Sequence, residues 1–504
     1  MSEESKGCLG SGLSRSINWK QGMMIALGVP ILILPAIYDV AQFVWAFSIF
    51  IWTMSVIQGF IQNISFGEMT TVFPGATGIP GCAQMAYSPE VRRGRFDRGR
   101  FIGAFCAWSY WFTWTPVVPV FTITMGDYLR AFVEPLSGVD PTALNLCLGL
   151  MIVSLMVFIG SRGLKGGALT GLLLALVSLV PMVIILIAVF PTGNFHTEYI
   201  TSSVLPPEWT WSARDIVIVF GLFGLAQWCA CAWETATIYG PEYKDPARDV
   251  PKALFSCGLI CLVLYLFVSV AVFGALGIGE APVEGVEDSG SGILGHGYAT
   301  LVPIAKLVFG DAGGLIALVL LLSAMLLIIQ TAFLGSSRTL YCMGREGNLP
   351  TFFSRTNKHG MPIVGLCTIA VVAMVLILIG NPVAILAASG MGFCIALSIC
   401  SAAYVTSRTN PRFKDLPRPW SAPRGWKYVA ACMAVYQGFV LLPCLMYWSY
   451  EAYGLTSVIV GIIVILAIVP IWLVTQAREY KEGEDSPPCG CGCADGRAKE
   501  NEVE

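Results

Sequence analysis

Long apolar runs separated by short polar stretches make up most of this chain. A helix needs about 20 mostly apolar residues to cross a bilayer's hydrocarbon core. Twelve runs reach or approach that length, at roughly residues 21–40, 44–66, 101–128, 144–160, 168–190, 214–239, 253–278, 314–341, 362–379, 382–405, 427–447 and 455–475. Stretches such as 167–190 and 315–337 contain no charge at all. A soluble helix needs a polar face, so these runs predict membrane helices. Only Asn381-Pro382 separates the ninth span from the tenth.

The polar positions test this count independently, because Lys and Arg gather in cytoplasmic loops. With the N-terminus inside, 27 of the 30 basic residues fall in inner segments, leaving only Arg130, Arg214 and Lys306 outside. One span more or fewer would invert every later loop and destroy the partition. The pattern therefore predicts an all-α, multi-pass protein of the plasma membrane, with twelve spans and both termini cytoplasmic. Outer loops are acidic, notably at Glu280, Glu284, Glu287 and Asp288. Such residues either keep a loop wet or concentrate a cationic solute.

Composition agrees. Of 504 residues, 56% are hydrophobic and 12% charged, about half the charge of a soluble domain. The first twenty residues are polar, and the apolar run after them lacks a small-residue cleavage site, so no cleavable signal is expected. The 17 cysteines sit in apolar or inner segments and imply no disulfide framework. A net charge of −2, segregated along the chain, offers no nucleic-acid surface.

Several function classes find no support. There is no G-x-x-x-x-G-K-[ST] loop for a nucleotide motor and no filter motif for a channel. His196, His296 and His359 lie in loops without metal spacing, so no enzyme centre, metal or cofactor is expected. Cys489-Gly-Cys-Gly-Cys493 lacks a fourth structured ligand and reads as part of a flexible cytoplasmic tail, residues 476–504.

Ionisable residues inside spans are the better guide, because a charge in hydrocarbon is costly. Glu234 stands in Trp228-Cys-Ala-Cys-Ala-Trp-Glu-Thr of span six. It either meets a substrate amine or a proton, or buttresses backbone N–H groups freed by a helix break. Span one carries Leu27-Gly28-Val29-Pro30, with Pro35 beyond. Both prolines remove backbone donors. Interrupted helices at matching positions of two repeats point to a transporter's binding site. Asp39 is a second acidic candidate. Trp108, Tyr110 and Trp111 in span three, and Gln330 and Thr331 in span eight, either line a cavity or pack.

Several segments resemble the amino acid–polyamine–organocation superfamily. Trp233-Glu-Thr-Ala-Thr-Ile-Tyr-Gly-Pro-Glu-Tyr-Lys-Asp-Pro-Ala-Arg-Asp-Val-Pro-Lys252 is similar to that family's run from span six into the next inner loop. Ser337-Arg-Thr-Leu-Tyr-Cys-Met-Gly-Arg-Glu-Gly-Asn-Leu-Pro350 resembles its run after span eight. Phe66-Gly-Glu-Met, Phe73-Pro74, Trp108-Ser-Tyr-Trp111 and Arg418-Pro-Trp-Ser-Ala-Pro423 fit further segments, in order.

The resemblance implies a five-plus-five inverted repeat with two trailing helices, divided at residues 21–190, 191–405 and 406–475 after an inner segment 1–20. It implies discontinuous helices one and six and a substrate site at Leu27, Gly28, Val29, Pro30, Trp228, Cys231, Ala232 and Glu234. Trp108, Tyr110, Trp233 and Gln330 become gate or cavity residues, and Thr331 an ion-site candidate. The family's G-[SA]-G donors to a substrate carboxylate are Gly28-Val29-Pro30 here, and Pro30 cannot donate. Span five has no lysine between Ala168 and Phe190, so one known substitute for sodium is missing. The expectation is a secondary transporter of amino acids or related amines, driven by a proton, by sodium or by exchange. A transporter of polyamines or other carboxylate-free amines, and a ligand-binding membrane sensor, are the alternatives.

Overall fold

The computed structural model describes residues 15–28, 33–88, 97–279, 292–380 and 382–482. Val29, Pro30, the acidic residues Glu280, Glu284, Glu287 and Asp288, and the Cys489–Cys493 cluster lie outside these. The described residues are helical, with one isolated parallel bridge between Ile17 and Tyr243. Nine helices among them are long and apolar enough to cross a membrane.

Several helices begin at side-chain caps. Asn18 and Gln21 form a capping box at the start of α1 (Trp19–Ala26). After α2 (Ile33–Val44), a turn at Trp45 leads into α3 (Ser48–Val72) and α4 (Gly78–Tyr87). The predicted third span is two helices, α5 (Arg98–Trp114), capped by Asp97, and α6 (Val117–Phe132). Pro116, which has no N–H to donate, stands at the junction. Asp140 caps α7 (Pro141–Arg162), and α8 (Leu164–Ala188) follows after Gly163. Ser212 and Asp215 box the start of α9 (Ala213–Ala230).

Next come α10 (Pro246–Leu276) and α11 (Leu301–Arg345). The latter starts well before the predicted span because a separate helical stretch joins it through a kink at Gly310, whose φ is +66°. Gly380, at φ +71°, ends α12 (Ile363–Ile379), and α13 (Pro382–Thr409) follows. The chain ends in α14 (Trp426–Tyr453), α15 (Leu455–Leu466) and α16 (Ile468–Glu482).

The bundle turns apolar side chains outward and keeps a set of polar and charged ones inside an otherwise apolar core. On α8, Leu169, Leu173, Leu176, Val180, Ile184 and Ile187 form one exposed stripe, at the three-to-four spacing of a single helix face. Gln58, Gln62, Asn63, Glu68, Glu234, Glu242 and Arg338 are buried instead. That distribution suits hydrocarbon as the solvent.

At the Lys/Arg-rich end, charges join segments far apart in sequence. Glu68 accepts hydrogen bonds from Tyr404 Oη (3.0 Å), Arg418 Nη1 (2.6 Å), the Ala422 amide (2.9 Å) and Arg408. Arg338 donates to both Glu242 oxygens, at 2.5 and 3.3 Å. The Ser16 and Ile17 amides donate to the Glu242 carbonyl. Arg100 links α5 to Gln476 of α16 (2.9 Å) and to the Glu346 carbonyl (2.8 Å).

Glu346, just past α11, keeps some surface exposed, but its carboxylate is enclosed by Cys342 and Asn348 (both 3.1 Å). Burial pushes it up to about 7, against the pull of Cys342, Arg100, Asn348 and Arg345. A carboxyl raised above its ordinary 4.5 contributes stability that is complete below that value and is lost as pH rises through about 7. Glu346→Gln keeps an acceptor and cannot ionise. Its thermal midpoint in detergent should match the parent's at pH 4.5 and exceed it at pH 8. Identical pH profiles would refute this assignment.

Candidate functional site

The α-helix of the sixth predicted span ends at Ala230, and the chain continues through Cys231 into 3-10 turns over Ala232–Glu242. Every residue of those turns is buried. The apolar pattern alone would allow α-helix throughout, but side chains take up the groups released by the change. Cys231 Sγ donates to the Ser55 carbonyl (2.9 Å), and its own carbonyl accepts from Asn63 Nδ2 (3.4 Å). Tyr265 donates to the Cys229 carbonyl (2.8 Å).

Glu234 is wholly buried in the first of these turns. Its Oε1 accepts from Tyr110 Oη at 3.1 Å, while Oε2 has no partner among the described residues. Trp114, one turn beyond Tyr110, stacks on Trp228 with centroids 5.9 Å apart. Phe393 closes edge-on against Trp114 at 6.2 Å. The indole nitrogens of Trp114 and Trp228 and both polar atoms of the Gln62 amide are also buried without partners among the described residues. A carboxylate, aromatic faces and unspent donors thus collect around one helix terminus.

The end of α1 is built in a related way. The last carbonyls of a helix lack donors from the next turn and call for other partners. Thr331 Oγ1 donates to the Ile25 carbonyl (2.7 Å), and Cys257 Sγ approaches that of Ala26 (3.6 Å). Gly28 is required here, since a Cβ would stand 2.5 Å from Thr331 Oγ1 and 3.0 Å from the Leu327 carbonyl. Leu27 is buried beside it, and α1 packs on the 3-10 segment.

The structure therefore groups Cys231, Ala232, Glu234, Tyr110 and Trp228, and sets Gly28, next to the buried Leu27, against Thr331. Three further candidates make specific contacts of their own. Trp108 donates to the Val464 carbonyl of α15 (2.7 Å). Trp233 is wedged between α3 and α10, where a Cβ on Gly59 or Gly258 would strike it at 2.7 or 2.9 Å. Gln330 ties α11 to the Gly167 carbonyl (2.5 Å).

Sequence reading missed Trp114, Asn63 and a buried amide chain. In that chain Gln58 donates to Gln227 (2.5 Å) and Gln227 to Gln437 (2.8 Å), the latter in a π-turn of α14. The available signal was Gln58, Gln62 and Asn63, which bring amides into an apolar span one helical turn apart.

A helical bundle with an apolar exterior and a charged, aromatic interior is an integral multi-pass membrane protein. A match to the family described as amino acid permease covers residues 17–469. The chain belongs to that family, within the amino acid–polyamine–organocation superfamily, whose members are permeases rather than enzymes.

Three relatives illustrate the family's range. The uncharacterized amino acid permease YecA of Bacillus subtilis is 25% identical, over 68% of this chain and 72% of its own length. The serine/threonine exchanger SteT of the same organism is 22% identical over 66% and 69%. The polyamine transporter PUT1 of Oryza sativa is 25% identical over 67% of this chain but only 57% of its own length.

Proposed function

We propose that this protein is a secondary transporter that moves amino acids or related amines across the plasma membrane by alternating access, from a site between interrupted helices one and six. The observation that carries the proposal is Glu234, sealed at the end of α9 with one oxygen on Tyr110 and the other unpaired among the described residues. Buried polar groups normally find partners, and an ionisable residue in a membrane core marks a functional site. A substrate ammonium group satisfies the free oxygen, and the Trp114–Trp228 stack offers it π faces.

Helix packing supports the repeat. A relation carrying span n to span n + 5 converts α11 on α8 (spans eight and five) into α5 on α13 (three and ten). It converts α9 on α3 (six and two) into α1 on α10 (one and seven). All four contacts occur, as do the self-related pairs α3 with α10 and α7 with α12. In this reading there are twelve spans with both termini cytoplasmic, and the aromatics of spans three and six form the thin gate. Thr331, with the carbonyls of Ile25 and Leu327, is the candidate ion site.

Pro30 offers no amide to a carboxylate, which favours polyamines or other carboxylate-free amines as the second substrate class. One screen separates the two. Thermal stabilisation of the purified protein is measured with amino acids and with their decarboxylated amines, followed by uptake into proteoliposomes under a proton gradient, a sodium gradient or counter-substrate. Stabilisation without uptake under any condition would instead favour a sensor. Truncation after Glu482, which spares the Trp472 and Gln476 contacts of α16, should leave a transporter active.

A further inference from the structure

Beside the charge clusters at the Lys/Arg-rich end lies a cleft of about 600 Å³ between α10 and the segment joining α13 to α14. Its floor is Phe255 against Trp420, with ring centroids 5.4 Å apart. Its rim carries Arg248 and Lys252, one helical turn apart, exposed, and without an ion pair among the described residues. Asp245 borders it too, leaving two cations to one carboxylate.

The walls are fixed independently of any occupant. The Trp420 carbonyl accepts from Thr71 (3.3 Å), and Arg418, two residues earlier, is held by Glu68. Further along α10 the same face continues through Leu259, Val263 and Leu266, which are 59%, 59% and 45% exposed. One helix face thus passes from two free cations, over an aromatic floor, into surface suited to hydrocarbon. A soluble anion would use only the first part of it.

We propose that this cleft binds the phosphate headgroup of an anionic glycerophospholipid between Arg248 and Lys252, with its acyl chains along Leu259, Val263 and Leu266. Charge complementarity fixes the headgroup's sign, and the continuous apolar face fixes the lipid as its source. Aromatic rings at the junction suit the boundary between headgroups and hydrocarbon.

The test uses the full-length protein in detergent with added phosphatidylglycerol, phosphatidylcholine or glycerol 3-phosphate. Bound lipid is read by native mass spectrometry and the thermal midpoint in parallel. Phosphatidylglycerol is expected to be retained in preference to phosphatidylcholine and to raise the midpoint. Each basic residue contributes about 1 kcal/mol to such binding. Lys252→Gln alone, an exposed change, should therefore weaken retention about fivefold, and Arg248→Gln with Lys252→Gln by more.

Three results would each overturn the proposal. One is an unchanged phosphatidylglycerol preference in both variants. Another is an equal loss in an Arg412→Gln/Lys414→Gln control, which would mean diffuse surface charge. The third is an equal rise in midpoint with glycerol 3-phosphate, which would mean a free-phosphate site.

Discussion

Glu234→Gln is expected to lower the efficiency of substrate uptake into proteoliposomes by one to two orders of magnitude while leaving a folded protein. Glutamine keeps the shape of the side chain and an oxygen for Tyr110, so the turn at Ala232–Glu242 retains its packing. What disappears is the charge. A hydrogen bond to a charged group contributes about 1.5–3 kcal/mol, or about ten- to more than a hundredfold in affinity. Tyr110→Phe removes only the 3.1 Å bond that orients the carboxylate, and the expected loss is smaller, several-fold. The measurement is initial uptake against substrate concentration for both variants, with size-exclusion chromatography to check folding. If Glu234→Gln keeps parental uptake, the carboxylate is a structural buttress and the substrate site must be sought elsewhere.

The fold was legible in the sequence wherever one physical rule acted alone. Exclusion of charge from hydrocarbon marked the apolar runs, and the six-residue stripe on α8 shows how closely pattern and surface correspond. The break in span six was readable too, because Trp228–Glu234 sets a carboxylate among apolar residues. Contacts between distant segments were not readable. Trp108, Trp233 and Gln330 could not be given a single use from sequence, because aromatic and amide side chains suit both cavities and packing. Which use each serves depends on the neighbouring helix: α15 for Trp108, α3 and α10 for Trp233, and α8 for Gln330. Trp114 was overlooked although it lies beside Tyr110 on one helix face, since only the position of Trp228 gives it a role.

The motifs were likewise visible singly and not as partners. Glu68 of Phe66-Gly-Glu-Met meets Arg418 of Arg418-Pro-Trp-Ser, while Glu242 meets Arg338 of the run after span eight. The second pair supports the other large effect. Arg338 is fully buried, donates also to the Leu334 carbonyl (2.9 Å), and lies 5.0 Å over the Tyr239 ring. Arg338→Met should destabilise by about 3–5 kcal/mol, because it leaves the Glu242 carboxylate buried without its cation. Glu242→Gln should cost a similar amount by stranding the guanidinium.

The double variant is the informative one. With both charges gone, neither ion is left unpaired, and its stability should return most of the way to the parent's. Thermal midpoints of the four proteins in one detergent at one pH give the comparison. If the two single losses simply add in the double variant, the pair is not an interacting unit. Recovered stability with defective uptake would show that the pair, which ties the 3-10 segment to α11, acts in transport as well as in folding. Recovery of both would confine it to folding.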